Sequence, residues 1–126
     1  MFYGLQRGIP IDSPDGEGHT PLMWAAFQGH EELVTFLISR HASIGAADKS
    51  GFTALHWAAS RGSLLCAEEL LRSGASPTVK TNAGDTPSQV AAAKRNLAVL
   101  DVINDSVKLG IPVPEVSQFD FLKLTF

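Results

Sequence analysis

The sequence predicts an all-α solenoid of stacked helix-turn-helix units joined by β-turn finger loops. Three observations carry that prediction: a 33-residue internal repeat, helix start and stop signals at fixed places within it, and apolar faces that one unit cannot bury alone. Gly18, Gly51 and Gly84 are 33 residues apart, and so are Thr20, Thr53 and Thr86. At the same offset Leu22 pairs with Leu55, Trp24 with Trp57, and Ala25-Ala26 with Ala58-Ala59 and Ala91-Ala92. Gly29 matches Gly62, Leu37 matches Leu70 and Ile103, and Ala42 matches Ala75. The predicted organisation is a remnant of a preceding repeat at 1–14, repeats at 15–47 and 48–80, a C-terminal capping repeat at 81–111, and an apolar tail at 112–126.

Each element has a local reason. Thr20, Thr53 and Thr86 offer a hydroxyl to the free amides of a helix start. Pro21 and Pro87 follow at the first helical position, where a missing N–H costs nothing. Gly29 and Gly62 can end that helix in the left-handed conformation. A second helix then carries apolar residues at helical spacing: Leu33, Val34, Leu37 and Ile38 in one copy, and Leu64, Leu65, Ala67, Leu70 and Leu71 in the next. Gly74 allows the turn into the following loop.

The ends are irregular. Gly8 falls 33 residues before His41, so Leu5 to Asp12 reads as the exit of an earlier repeat, and we expect the chain to be cut from a longer array. In the last copy Ser88 stands for the repeat leucine, Arg95-Asn96 for Gly-x, and Asn104 for the apolar Ile38 and Leu71, which predicts a polar outward face. Pro112 and Pro114 stop the last helix. The tail carries five apolar residues among the nine from Gln118 to Phe126, and either docks on the stack or begins something further.

Composition narrows function. The chain has 126 residues and mass 13.5 kDa, with ten basic and thirteen acidic side chains and a net charge of −3. Such a chain buries roughly two-thirds of its unfolded surface, enough for one core. Its mild acidity gives no footprint for a nucleic-acid backbone. The single Cys66 excludes an internal disulfide or a multi-thiolate zinc site, and suits a reducing compartment. No apolar run reaches the roughly 18 residues of a membrane span, and the N-terminus lacks the pattern of a signal peptide. The expected location is cytoplasmic.

Candidate chemistry is sparse. The histidines His19, His30 and His41 recur every 11 residues, which places them on three different parts of one repeat rather than at one metal. Glu31-Glu32 and Glu68-Glu69 are sequence neighbours that diverge by about 100° on a helix, so neither pair converges as an acid and a base. Asp15-Gly16-Glu17-Gly18 lacks the Gly-Lys-Ser/Thr of a phosphate loop. Cys66 has no base nominated beside it. No catalytic residue, cofactor site or metal site is predicted.

The copies read Gly-x-Thr-Pro-Leu-Met-Trp-Ala-Ala, Gly-x-Thr-Ala-Leu-His-Trp-Ala-Ala and Gly-x-Thr-Pro-Ser-Gln-Val-Ala-Ala. Over roughly residues 5 to 110 the chain resembles the ankyrin repeat family, marked by Thr-Pro-Leu-His-x-Ala at this period. The resemblance implies that His56 hydrogen-bonds between neighbouring loops, and that a partner binds the concave face of finger loops and first helices. Carried over by position, that face presents His19, Phe27 and Gln28, then Phe52, Ser60 and Arg61, then Asp85 and Lys94. Phe27 and Phe52 stand at exposed positions, either as anchors for a partner or as a cover for a short stack.

Trp24 and Trp57 occupy a position that is aliphatic in most ankyrin repeats. Inter-repeat packing is the physical default for such large rings. The paired tryptophan motifs also resemble the last repeats of the Asp-His-His-Cys palmitoyltransferases of the huntingtin-interacting type. In those membrane enzymes the cytosolic array recruits substrate proteins, and acyl transfer belongs to a separate segment. The resemblance implies a protein-protein interaction module on the cytosolic face of a membrane. It would take another protein or an extended peptide segment, with no nucleic acid and no membrane insertion of its own. Trp24, Trp57, Phe27 and Phe52 would be its apolar anchors, with Gln28, Arg61 and Lys94 setting orientation. The alternatives are a free-standing ankyrin adaptor or inhibitor, and an enzyme in its own right, which would need a convergent set of reactive groups.

Overall fold

A computed structural model describes residues 11–109. Within them lie six helices in three antiparallel pairs: α1 (Pro21–Gln28) with α2 (Glu31–Ser39), α3 (Ala54–Arg61) with α4 (Leu64–Arg72), and α5 (Pro87–Ala93) with α6 (Leu97–Leu109). The first helices stack as α1–α3–α5 and the second helices as α2–α4–α6. No helix of the described residues is long and apolar enough to cross a membrane. Residues 1–10 of the expected remnant and the whole expected tail lie outside the described residues.

The helix boundaries follow from the caps. Thr20, Thr53 and Thr86 each accept a hydrogen bond from the backbone N–H three residues on. Thr53 and Thr86 form reciprocal capping boxes with His56 and Gln89. Gly29 and Gly62 close α1 and α3 at φ of 77° and 78°, in the left-handed region where a Cβ is costly. Glycine is required at 62 for a second reason, because a Cβ there would lie 2.8 Å from Asn96 Oδ1.

The core runs through all three pairs. Leu22, Ala25, Ala26, Val34, Leu37, Leu55, Ala58, Ala59, Ala67, Leu70, Ala91, Val99 and Ile103 are each at most 1% exposed, so small first-helix residues and large second-helix residues interlock. Every buried side-chain nitrogen or oxygen among the described residues has a hydrogen-bond partner.

The predicted finger loops contain turns but no strand among the described residues. Each turn closes with a backbone hydrogen bond, from Gly18 to Asp15, Gly51 to Asp48 and Gly84 to Thr81. Neighbouring tips are linked, Lys49 N–H donating to the Glu17 carbonyl and Asn82 N–H to that of Ser50.

Two expectations about faces need correction. Leu65, counted within the apolar face of the second helix, is 54% exposed, since that face faces the core through Cys66, Ala67, Leu70 and Leu71. The last helix is not purely polar outside either. Asn104 is exposed as expected, but so are Leu97 and Val107. Asn96 is more than a polar replacement, for its amide donates to the carbonyls of Ala59 and Ser60 at 2.7 and 3.1 Å and ties the third pair to the end of α3.

Candidate functional site

The loops at 15 and 48 each use one aspartate twice. Asp15 Oδ1 accepts from the N–H groups of Glu17 and His19, both at 2.9 Å, which shapes the turn. Asp48 Oδ1 does the same for Ser50 and Phe52 at 2.9 and 3.0 Å. The second oxygen reaches a tryptophan nine residues on. Trp24 Nε1–H donates to Asp15 Oδ2 at 3.3 Å, and Trp57 Nε1–H to Asp48 Oδ2 at 3.1 Å. Each indole is thus pinned by the loop that precedes its helix.

His19 joins the two units. Its Nδ1 lies 3.0 Å from Asp15 Oδ2 and its Nε2 lies 3.4 Å from Asp48 Oδ2. Its ring meets Trp24 and Trp57 edge-to-face, with both centroid distances 5.6 Å. Desolvation is the largest single influence and opposes ionisation of Asp15, but the N–H groups of His19 and Glu17 and the His19 ring together outweigh it and lower the Asp15 carboxyl to about 2. Asp15 is therefore a carboxylate across the neutral range. The Asp48 side chain is 2% exposed, so its charge is enclosed by these donors.

An open apolar cleft of about 200 Å³ is lined by His19, Met23, Trp24, Phe27 and Trp57. Phe27 stands edge-to-face on Trp57 at 5.3 Å. Arg61, at the end of α3, holds its guanidinium 5.2 Å above the Phe27 ring.

The structure brings together Trp24, Trp57, Phe27 and Arg61 from the sequence-predicted set. Phe52 lies on the Trp57 ring at 4.8 Å but does not line the cleft. Neither phenylalanine is the exposed ring the positions implied, because both are half-buried against Trp57. Gln28 Oε1 accepts from His30 Nε2–H at 3.1 Å, and Lys94 is exposed at the end of α5, outside the cleft lining. Met23, which forms part of the cleft, was missed. So was the Asp–Trp pairing, although Asp15 and Asp48 share the 33-residue offset of Trp24 and Trp57.

His56 sits where the family motif has its histidine and is fully buried. Its Nδ1 accepts from Thr53 N–H at 3.2 Å, so Nε2 carries the proton and donates to the Asp85 carbonyl in the next loop at 3.0 Å. Burial holds its pKa below the ordinary value, against the pull of that carbonyl. Cys66 is buried, and burial raises its thiol to about 11, the wrong direction for a nucleophile. No group of three or more His, Cys, Asp or Glu among the described residues is placed to hold a metal ion.

Stacked helix pairs with linked loop tips and an aromatic-lined cleft define a helical repeat array. The family model for ankyrin repeats (three copies) matches residues 3–81 and 41–108, and the chain belongs to the ankyrin repeat family. Over 85 residues, 67% of this chain, it is 46% identical to palmitoyltransferase AKR1 of Naumovozyma castellii, of which the match covers 11%. Shorter matches reach two Arabidopsis thaliana acyl-CoA-binding domain-containing proteins. Protein 2 is 36% identical over 42 residues, 33% of this chain and 12% of that protein. Protein 1 is 40% identical over 38 residues, 30% of this chain and 11% of that protein. The chain therefore spans about a tenth of the length of the relatives it matches.

Proposed function

We propose that this chain is a protein-binding module, the substrate-recruiting ankyrin region of a membrane palmitoyltransferase working on the cytosolic face. The observation that carries the binding role is the cleft between the first two helix pairs. Its indoles are held in place by hydrogen bonds to Asp15 and Asp48, yet both rings stay only half-buried and the cleft is open. A protein that needed those rings only for its core would cover them. The similarity to palmitoyltransferase AKR1 supports the link to S-acyltransferases. In this reading the ankyrin region recruits the protein to be acylated, and the acyl transfer takes place elsewhere in the parent.

An extended peptide segment would place an anchor side chain among Trp24, Phe27 and Trp57, with Phe52 buttressing Trp57. Gln28, Arg61 and Lys94 would orient the flanking backbone. A buried aromatic anchor is worth about 2 kcal/mol or more, so losing both tryptophans should reduce binding by at least about a hundredfold. The test is a peptide array probed with the wild-type chain and with Trp24→Ala/Trp57→Ala, the variant's fold being checked by circular dichroism. Binding that survives in a folded double variant would overturn the anchor role. The free-standing adaptor reading is separated by the gene: downstream hydrophobic spans with an Asp-His-His-Cys stretch mark the recruiting region.

A further inference from the structure

We infer that the cleft between Trp24 and Trp57 is an aromatic cage for a methylated ammonium group, the trimethyllysine side chain of a bound polypeptide. This inference rests on the protein-binding reading and names the chemistry of its central contact.

Three observations select the occupant. The first is the walls. Trp57 meets both Phe27 and His19 at near right angles, with interplanar angles of 87° and 80°, and Trp24 meets His19 at 78°. These rings, with Met23, line one small volume of about 200 Å³, wide enough for a trimethylammonium head. Faces of this kind attract a cation within about 6 Å of the ring centroid.

The second is charge. Both indole N–H groups point at carboxylates, and a donor so engaged leaves more electron density on its ring face. Two carboxylates stand against the indole N–H groups and the His19 wall, and with that imidazole they carry a net −2 with His19 neutral or −1 with it protonated. A neutral aliphatic side chain would fit the volume but gain nothing from that field. One ring of the lining, Phe27, already carries a cation of the chain itself, the Arg61 guanidinium.

The third is the absence of spare acceptors in the lining. Met23, Phe27 and the two indoles offer an ammonium no oxygen, both His19 nitrogens face Asp15 and Asp48, and the Oδ2 atoms of those aspartates are engaged by indole and imidazole. An unmodified lysine would bury three N–H donors with few partners, which is costly. Methylation removes those donors and keeps the charge.

The test titrates the full 126-residue chain with the tripeptide Gly–trimethyllysine–Gly, following the indole N–H resonances of Trp24 and Trp57 by NMR. We expect saturable shifts of both, with affinity about tenfold above the unmodified lysine peptide and above the carbon isostere bearing a tert-butyl group. Trp57→Leu should abolish the preference for the cation over the isostere. Equal affinity for the isostere, or a cation preference that survives in a folded Trp57→Leu variant, would overturn the cage. Phosphatidylcholine vesicles that shift the indoles while the peptide does not would overturn it in favour of a choline headgroup. Silence from every probe would also overturn it, and would leave the module reading standing if the peptide array still depended on the two tryptophans. Conversely, array binding indifferent to those tryptophans, alongside saturable trimethyllysine binding, would sink the module reading alone.

Discussion

An aspartate does two jobs in the loops at 15 and 48, whereas the loop at 81 has a threonine that does one. Thr81 Oγ1 accepts from the N–H groups of Ala83 and Asp85 at 3.3 and 3.2 Å, replacing the Oδ1 atoms of Asp15 and Asp48. It has no second oxygen to offer, and the matching helix position holds Val90 instead of tryptophan. The turn survives and the indole latch is gone, both partners together. The half of the aspartate that the third unit keeps is the half that shapes the turn. The half it drops belongs to the cleft.

The sharpest way to break that comparison uses the loop glycines, which share a left-handed backbone but not their surroundings. A Cβ at Gly51, where φ is 83°, would lie 2.6 Å from the backbone nitrogen of Asn82. At Gly84, where φ is 90°, it would meet nothing within 4 Å. Gly84→Ala should cost about 1–2 kcal/mol, the left-handed penalty alone. Gly51→Ala adds a backbone clash and should cost about 3 kcal/mol or more. Urea unfolding gives both values, and equal costs would mean that the linked loop tips do not constrain one another.

Next in size is Asp48→Asn. The amide can keep its oxygen on the Ser50 and Phe52 N–H groups, but then turns an NH₂ toward the Trp57 indole N–H and the His19 ring. With the side chain enclosed, the lost charge-assisted bonds should cost about 2 kcal/mol. Asp48→Thr/Trp57→Val, which copies the third unit, should cost less than the sum of its two single changes, because each single leaves a partner stranded. Asp15→Asn should weaken the fold by less, since that side chain is 40% exposed. Acid gives the same information. The Asp15 carboxyl titrates lower in the fold than in the open chain, so its contribution is present above about pH 4. It is lost as pH falls toward about 2. Asp15→Asn should flatten that part of an acid-unfolding curve.

A smaller effect, of opposite sign, is expected at Arg95. This residue has φ of 60° where the earlier units have Gly29 and Gly62. Gly29 and Gly62 are approached by Ser63 Oγ and Asn96 Oδ1 of the next helix pair, and no helix pair follows α6 among the described residues. A side chain is tolerated there sterically but stays in a disfavoured conformation. Arg95→Gly should raise stability by a few tenths to about 1 kcal/mol, the released strain less the entropy of a new glycine. His41, at φ of 68°, is a second site for the same test.

Residues whose role is set by their own helix turn were legible in the sequence. The threonine caps, the prolines at the first helical position and the left-handed glycines all act within four residues, so period and residue type sufficed. The cleft was legible only in part. Trp24, Trp57, Phe27 and Arg61 were named as a concave surface, but their contacts span a repeat, and periodicity does not say which rings touch. Phe27 and Phe52 read as exposed because their positions face outward in a generic unit, and Trp57, one repeat on from Phe27 and five residues on from Phe52, covers both. The carboxylates behind the indoles had a readable signal, the joint loss of aspartate and tryptophan in the third copy. Leu65 failed for a simpler reason: in an apolar-rich helix, spacing alone does not say which leucine turns away from the core.

The smallest predicted effect lies at the helix position that holds His56 in the second unit and Gln89 in the third. Both close a capping box, Thr86 N–H donating to Gln89 Oε1 at 2.8 Å as Thr53 N–H donates to His56 Nδ1. Only the histidine can take up a proton, and burial disfavours the charged form. Its pKa is therefore lower in the fold than the 6.5 of the open chain, so the unfolded state binds the proton first. Stability from this group is complete above about pH 6.5 and falls as the pH drops below it. A proton on Nδ1 would also remove the acceptor of the capping box. His56→Gln keeps the box and removes the titration, but loses the bond from Nε2–H to the Asp85 carbonyl. The variant should be slightly less stable than wild type at pH 7.5, with the gap closing or reversing by pH 5. Urea midpoints at the two pH values measure it. A gap that does not change with pH would mean that the second unit's histidine is as inert to acid as the third unit's glutamine.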